Sequence, residues 1–251
     1  MCTLVLLIRP GHDWPLVLGA NRDEMVDRPW LPPGRHWPDR ADIVAGRDIL
    51  AGGTWMGVND YGVFAGILNR PESLGPSEGF RSRGELPLEA LDHADAGDAA
   101  EALGEIDPKA YRSFNLVIAD NQDAFWLSAP ENAERVAVQR VPPGLSMLTA
   151  HDLNQRSSPR IRTYMPRFLE AEEPDPARGD WRAWQQLLQS RLYDPEDGPR
   201  GAMTIVGDSG FGTVSSSLIA LPGTESGDAE PVWLFAAGRP GEVPWEPVDL
   251  G

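Results

Sequence analysis

The chain has 251 residues, with 22 basic against 38 acidic side chains and a net charge of −16. That balance lacks the basic footprint that holds phosphate backbones or anionic membranes, so no nucleic-acid partner is expected. Its 41% hydrophobic and 24% charged residues are ordinary for a globular chain, expected here as one domain over 1–251, and a single cysteine allows no intramolecular disulfide.

Cys2 to Ile8 is an apolar run far short of the roughly 18 residues of a membrane span, and no basic stretch precedes it as in a signal peptide. It reads as a buried strand, and the expected compartment is the cytoplasm. Arg9 to Asp13 is turn chemistry, and Pro15 to Ala20 follows at hairpin distance, delivering Asn21-Arg22-Asp23-Glu24 at its end. Pro29 to Arg40, with four prolines, two tryptophans and a histidine, reads as an ordered surface loop. GGTWMGVN (52–59) and YGVFAGILN (61–69) alternate small and bulky residues, which predicts a second hairpin packed close to another layer.

From Ser82 to Asp107 the pattern is helical, with Ser82 and Glu85 spaced as a capping box and a break near Gly97. Strands resume at SFNLVIAD, DAFWLS, ERVAVQ and LSMLTA. Helices are expected over Pro159–Ala171 and Asp180–Leu192, the latter capped by Asp180. FGTVSSSLIAL and EPVWLFAA are the last strands, separated by the polar turn GTESGDAE. This order lacks the βαβ rhythm of a parallel sheet. It predicts an α+β fold, a four-layer α/β/β/α sandwich of two antiparallel sheets flanked by helices.

The chemistry centres on Cys2. Removal of Met1 would leave its α-amino group, with an unperturbed pKa of about 7.7–8.0, beside its own thiol as a base. Against this stands the plainer reading of a small residue starting a strand. Arg22, Asp23 and Glu24 can orient an amine, hold a thiolate or clamp a substrate carboxylate, or else form a surface turn. Asn69 and Asn115, at strand ends, suit an oxyanion hole. Thr213 and Ser215 to Ser217 lack the G-x-S-x-G elbow of a serine hydrolase. The four histidines are scattered, which with one cysteine argues against a metal site. His151-Asp152 is either a catalytic or ligand-binding dyad or a loop histidine capped by its neighbour. Trp14, Trp30, Trp37 and Trp55 are candidate walls for an apolar or planar ligand.

Taken together, MCTLVL, LGANRDE, AGRD with AGGTWMGVN, GILNR, SRGEL, FNLVIAD, HDLN and GTVSSSLI resemble the NRDE family, whose eukaryotic members include the transport and Golgi organisation protein 2. The resemblance implies an N-terminal nucleophile hydrolase fold of the choloylglycine hydrolase and penicillin V acylase group. It places Cys2 as nucleophile, Asp23 at the aspartate that contacts its amine and Asn69 at the oxyanion asparagine. The group's catalytic arginine position is Ala20 here, with Arg22 two residues on and on the same strand face. Its second oxyanion asparagine is replaced by Ala150 or His151. Asn21, Glu24, Trp55 and His151 are expected to bind substrate.

Two functions follow from the resemblance. One is a cysteine amidohydrolase or acyltransferase acting on a small-molecule amide or thioester, which requires no cofactor. The other is a non-catalytic binding or trafficking protein for a hydrophobic ligand such as haem, lipid or acyl-CoA.

Overall fold

The structure is a computed structural model describing residues 2–73, 75, 77–207, 210–227 and 229–251. The strands in chain order are β1 (Thr3–Ile8), β2 (Leu16–Met25), β3 (Trp30–Gly34), β4 (Ile43–Asp48), β5 (Met56–Asn59), β6 (Phe64–Asn69), β7 (Phe114–Ala119), β8 (Ala124–Ala129), β9 (Ala137–Arg140), β10 (Gly144–Leu148), β11 (Phe211–Leu221), β12 (Val232–Ala236) and β13 (Glu246–Pro247). The helices are α1 (Glu85–Leu91), α2 (Ala96–Gly104), α3 (Pro159–Glu170) and α4 (Arg182–Leu188). The fold is α+β with two antiparallel sheets, as the order of strands and helices predicts. Contacts divide the chain into two units, Met1–Arg28 with Pro143–Val248, and Pro29–Pro142 with Asp249–Gly251. Among the described residues, no helix is long and apolar enough to cross a membrane.

The first unit holds a six-stranded sheet in the order β10-β1-β2-β11-β12-β13. β1 and β2 form the expected hairpin, with Thr3 opposite Asn21 and Ile8 opposite Leu16. One face of this hairpin packs on α3 and α4: Val5, Leu7 and Val17 share a core with Ile161, Tyr164, Phe168, Trp184 and Leu188. Alternation along β2 therefore turns its odd-numbered residues toward the helices. Gly19 shows how close this packing is, since a Cβ there would lie 3.0 Å from the Trp184 ring. Trp14 belongs to this core and is not a pocket wall.

The second unit is a seven-stranded meander, β3 to β9 in sequence order. Leu86, Leu91, Ala99 and Leu103 from α1 and α2 close over Ile43, Ala45, Ala65, Phe114, Leu116 and Leu127. The hairpin of β5 and β6 turns at Asn59, whose Oδ1 accepts from the N–H groups of Tyr61 and Val63 while its amide donates to the carbonyls of Leu91 and His93. The AGGTW and SRGEL stretches meet as backbone on backbone. Thr54 N donates to Gly84 O at 2.9 Å, and a Cβ on Gly53 would stand 2.4 Å from that carbonyl. Gly53→Ala is thus expected to cost about 3 kcal/mol, since main chain cannot swing aside. Gly52→Ala meets nothing within 4 Å and has only its φ of +74° against it, so about 1 kcal/mol is expected. Thermal unfolding of the two variants checks the difference.

Several elements depart from the sequence reading. The loop expected over Pro29–Arg40 begins as edge strand β3, with Pro32 and Pro33 at the register shift between Leu31 and Gly34, where no ladder N–H is required. Ser82 does not form a capping box: its Oγ accepts from Gly84 N, while Glu85 pairs with Arg81. The helical break lies before Gly97, at Asp95, which caps α2 by accepting from Asp98 N. α4 is shorter than expected, ending at Leu188, and Asp180 bonds Arg182 without being its N-cap. The expected events at Met1, and Asp228 in the turn after β11, lie outside the described residues.

Candidate functional site

The largest surprise in the first unit is β2 itself. Asn21 to Glu24, expected at the strand's end, are part of it because β11 pairs with β2 as far as Met25, while the β1 register reaches Asn21. Asn21, Arg22 and Asp23 are all buried. Charged residues in a strand centre need partners, since a lone buried charge costs several kcal/mol.

Asp23 faces the helix side and accepts at both carboxylate oxygens. Arg160 Nη1 donates to Oδ2 at 2.9 Å, and Thr213 Oγ1 donates to Oδ1 at 2.6 Å. The same guanidinium reaches Thr3 Oγ1 on β1, next in sequence to Cys2. The Arg160 side chain is 3% exposed and that of Asp23 is 0% exposed. Arg160 sits in the first turn of α3, held there by Pro159 at the first helical position and by Ser158, whose Oγ accepts from Thr149 at 3.0 Å.

Cys2 precedes β1, and extending the β1–β2 register by one residue sets it opposite Arg22. Its Sγ lies 3.8 Å from the carbonyl oxygen of Asp23. Burial pushes the Cys2 thiol up. The amino-terminal charge and Arg22 pull the other way, and the charge of Asp23 adds to the rise. The cluster is thus a thiol at a strand start, a buried cation on the adjoining strand, and a carboxylate fixed from two further elements. Chemically it can hold an ammonium beside a thiol in a fixed orientation.

The other expected site residues fall in different places. Asn21, expected to contact substrate, is instead part of the core. Its amide donates to the carbonyls of Leu188 and Met203, each at 2.9 Å, and its Oδ1 accepts from Ser216. Glu24 lies at the exposed end of β2 with an ion pair to Arg28 at 3.7 Å. His151 is half-buried in the turn after β10, behind buried Ala150. Asn69 ends β6 in the second unit, opposite Phe114. Trp55, in the same unit, packs edge-on to Trp30 with centroids 5.8 Å apart and fills the space left by Gly46. Asn115 is fully buried, its Oδ1 accepting from Arg70 and from Trp126.

Arg160 and Thr213 are the residues that sequence reasoning missed. A signal existed for Arg160. Ile161, Tyr164 and Phe168 form the buried stripe of α3, and Arg160 stands one turn before Tyr164 on that face. An arginine on the apolar face of a helix asks for a buried acid.

The sequence pattern of the Transport and Golgi organisation 2 family matches residues 1–220. The chain belongs to that family. The match takes in the whole cluster from Cys2 to Thr213, and the resemblance read from LGANRDE and GTVSSSLI agrees with it. No curated protein is similar in sequence. In fold, this family member resembles a Caenorhabditis elegans ortholog of N-acylethanolamine-hydrolyzing acid amidase, with 11% identity, a TM-score of 0.57, and 90% of this chain and 96% of that one covered. A mutant of the conjugated bile acid hydrolase from Clostridium perfringens gives 13% identity and a TM-score of 0.55 over 99% and 92% of the two chains. Penicillin V acylase from Agrobacterium tumefaciens gives 13% and 0.52 over 94% and 83%. At these identities the likeness is one of fold alone.

Proposed function

We propose that this protein is an N-terminal-cysteine amidohydrolase or acyltransferase acting on a small amide or thioester. The observation that carries the reading is the β1–β2 register. It brings the start of β1, with Cys2, against Arg22 and Asp23, and Asp23 is clamped by Arg160 and Thr213. The similar structures, named amidase, bile acid hydrolase and acylase, support it.

The chemistry needs Met1 removed. The freed α-amine takes the thiol proton, and the Cys2 thiolate attacks the substrate carbonyl carbon. The tetrahedral intermediate collapses with cleavage of the C–N or C–S bond, and the amine's proton goes to the leaving group. Water, or an acceptor nucleophile, then cleaves the acyl-cysteine thioester and restores the thiol. Asp23 orients the ammonium, and Arg22 supplies fixed positive charge near the thiolate.

Intact-mass analysis of native protein, followed by a panel of acyl amides and thioesters, tests the reading. The expected result is a mass lacking Met1 and turnover that falls by about 10³-fold or more in Cys2→Ala. Quantitative retention of Met1 would sink the mechanism. A second reading, a non-catalytic binding protein, is favoured by the surroundings of Cys2, whose thiol is pushed up by burial. A haem Soret shift that survives Cys2→Ala, with no turnover of any acyl compound, would support that reading.

A further inference from the structure

β11 slips by one residue against β2. Thr213 stands opposite Asp23 and Ser215 opposite Arg22, leaving Val214 as the extra residue of a bulge. In a regular strand, residues two apart share a face. Here the bulge turns Thr213 toward the helix side with Asp23, while Ser215 keeps to the Arg22 side. The hydroxyl of Thr213 is also oriented. Ile205 N donates to Thr213 Oγ1 at 2.8 Å, and Thr213 N donates to Ile205 O at 3.1 Å. With one lone pair of Oγ1 occupied by that N–H, its proton is directed to Asp23 Oδ1 at 2.6 Å. Thr213 is 2% exposed, so water does not substitute for it.

We infer that Thr213 is a positioning residue for the nucleophile: through the bulge at Val214 it holds the Asp23 carboxylate in the orientation that receives the Cys2 ammonium once Met1 is gone. This rests on the N-terminal-cysteine reading and assigns a residue to it from the far end of the chain. Arg160 and Thr213 engage one carboxylate oxygen each, which fixes the plane of the group from two sides. A carboxylate that accepts from a hydroxyl also spreads part of its charge onto that donor. Without the hydroxyl, more charge bears on the remaining cations, and the ammonium yields its proton at higher pH. The charged groups around this carboxylate include Arg160 from α3 and, flanking it on β2, Arg22 and Glu24, the latter paired to Arg28. β11 contributes the Thr213 hydroxyl, and the Thr3 hydroxyl of β1 accepts from the same Arg160 guanidinium.

The test is the rate of Cys2 alkylation by iodoacetamide against pH, on Met1-free protein verified by mass. Thr213→Val removes the hydroxyl at nearly constant volume, and the midpoint is expected to rise by about one pH unit, the equivalent of one hydrogen bond. Thr213→Ser keeps the hydroxyl and is expected to restore the wild-type midpoint. Thr213→Ala is run alongside Thr213→Val and read in the same way, so that a folding defect in either does not end the test. A midpoint unchanged in the variants lacking the hydroxyl, or shifted equally in Thr213→Ser, overturns the positioning role. If the wild-type profile is the same in Met1-free protein and in a form extended at its amino terminus, the N-terminal-cysteine reading itself fails, and the inference falls with it.

Discussion

Arg160→Ala is expected to cost about 3–5 kcal/mol of folding stability, the range for removing one partner of a buried ion pair. Both side chains are essentially sealed from water, at 3% and 0% exposure, so Asp23 would be left with its charge and without its cation. Thr3 would lose the guanidinium as well. Arg160→Met keeps most of the volume, so a cost of the same size there would show that charge, and not packing, is responsible. Arg160→Met combined with Asp23→Leu is expected to recover most of the loss, because hydrophobic pairs commonly replace buried ion pairs without penalty. Urea unfolding of the three variants measures this. A loss under 1 kcal/mol in Arg160→Ala would show that Asp23 finds another partner and that the pair is not what holds β2 to α3.

The second large effect concerns Cys2. In a chain whose amino terminus is blocked by any preceding residue, the thiol titrates above the ordinary thiol value of about 8.5, because burial disfavours the thiolate. Alkylation by iodoacetamide should then be slow at neutral pH and rise only well into the alkaline range. With Met1 removed, an α-amino group with an ordinary pKa of about 7.7–8.0 is carried on Cys2 itself. As pH rises through that range the amine becomes a free base able to take the thiol proton, and until then the ammonium favours the thiolate by charge. Both effects act in the same direction, lowering the midpoint. A shift of at least about one unit, hence roughly tenfold faster alkylation near pH 7.5, is expected on comparing Met1-free protein with an amino-terminally extended form. Superimposable profiles would make Cys2 a small half-buried residue at the start of a strand and nothing more.

These two predictions have different origins. Cys2, Arg22 and Asp23 come together through local information: an apolar run, a turn at Arg9 to Asp13 and a second run that returns at hairpin distance. Such a hairpin is readable because strand period and turn chemistry act over a few residues. The glycine-rich stretches were equally legible as places of close approach, and the contact of Gly53 with Gly84 gives that approach its partner. What misled local reading was polarity. Asn-Arg-Asp-Glu looks like the solvated end of a strand, and it is the pairing of β11 with β2 as far as Met25 that continues the strand through it. The same blindness applies to β3, whose prolines suggest a loop until an edge position makes them permissible.

Asn21 illustrates the limit most sharply. As a residue type it suits substrate binding as well as structure, and what decides between them is the positions of Leu188, Met203 and Ser216, all distant in the chain. The sequence by itself determined the fold class, the family, the β1–β2 hairpin and the presence of a thiol beside an arginine and an acid. Only the tertiary structure decided that Asp23 is a clamped, buried carboxylate. Its partners come from 137 and 190 residues away, Arg160 on a helix and Thr213 beside a bulge. Periodicity carries no information across such separations, because a hydrogen bond is set by where two elements dock and not by the spacing within either one.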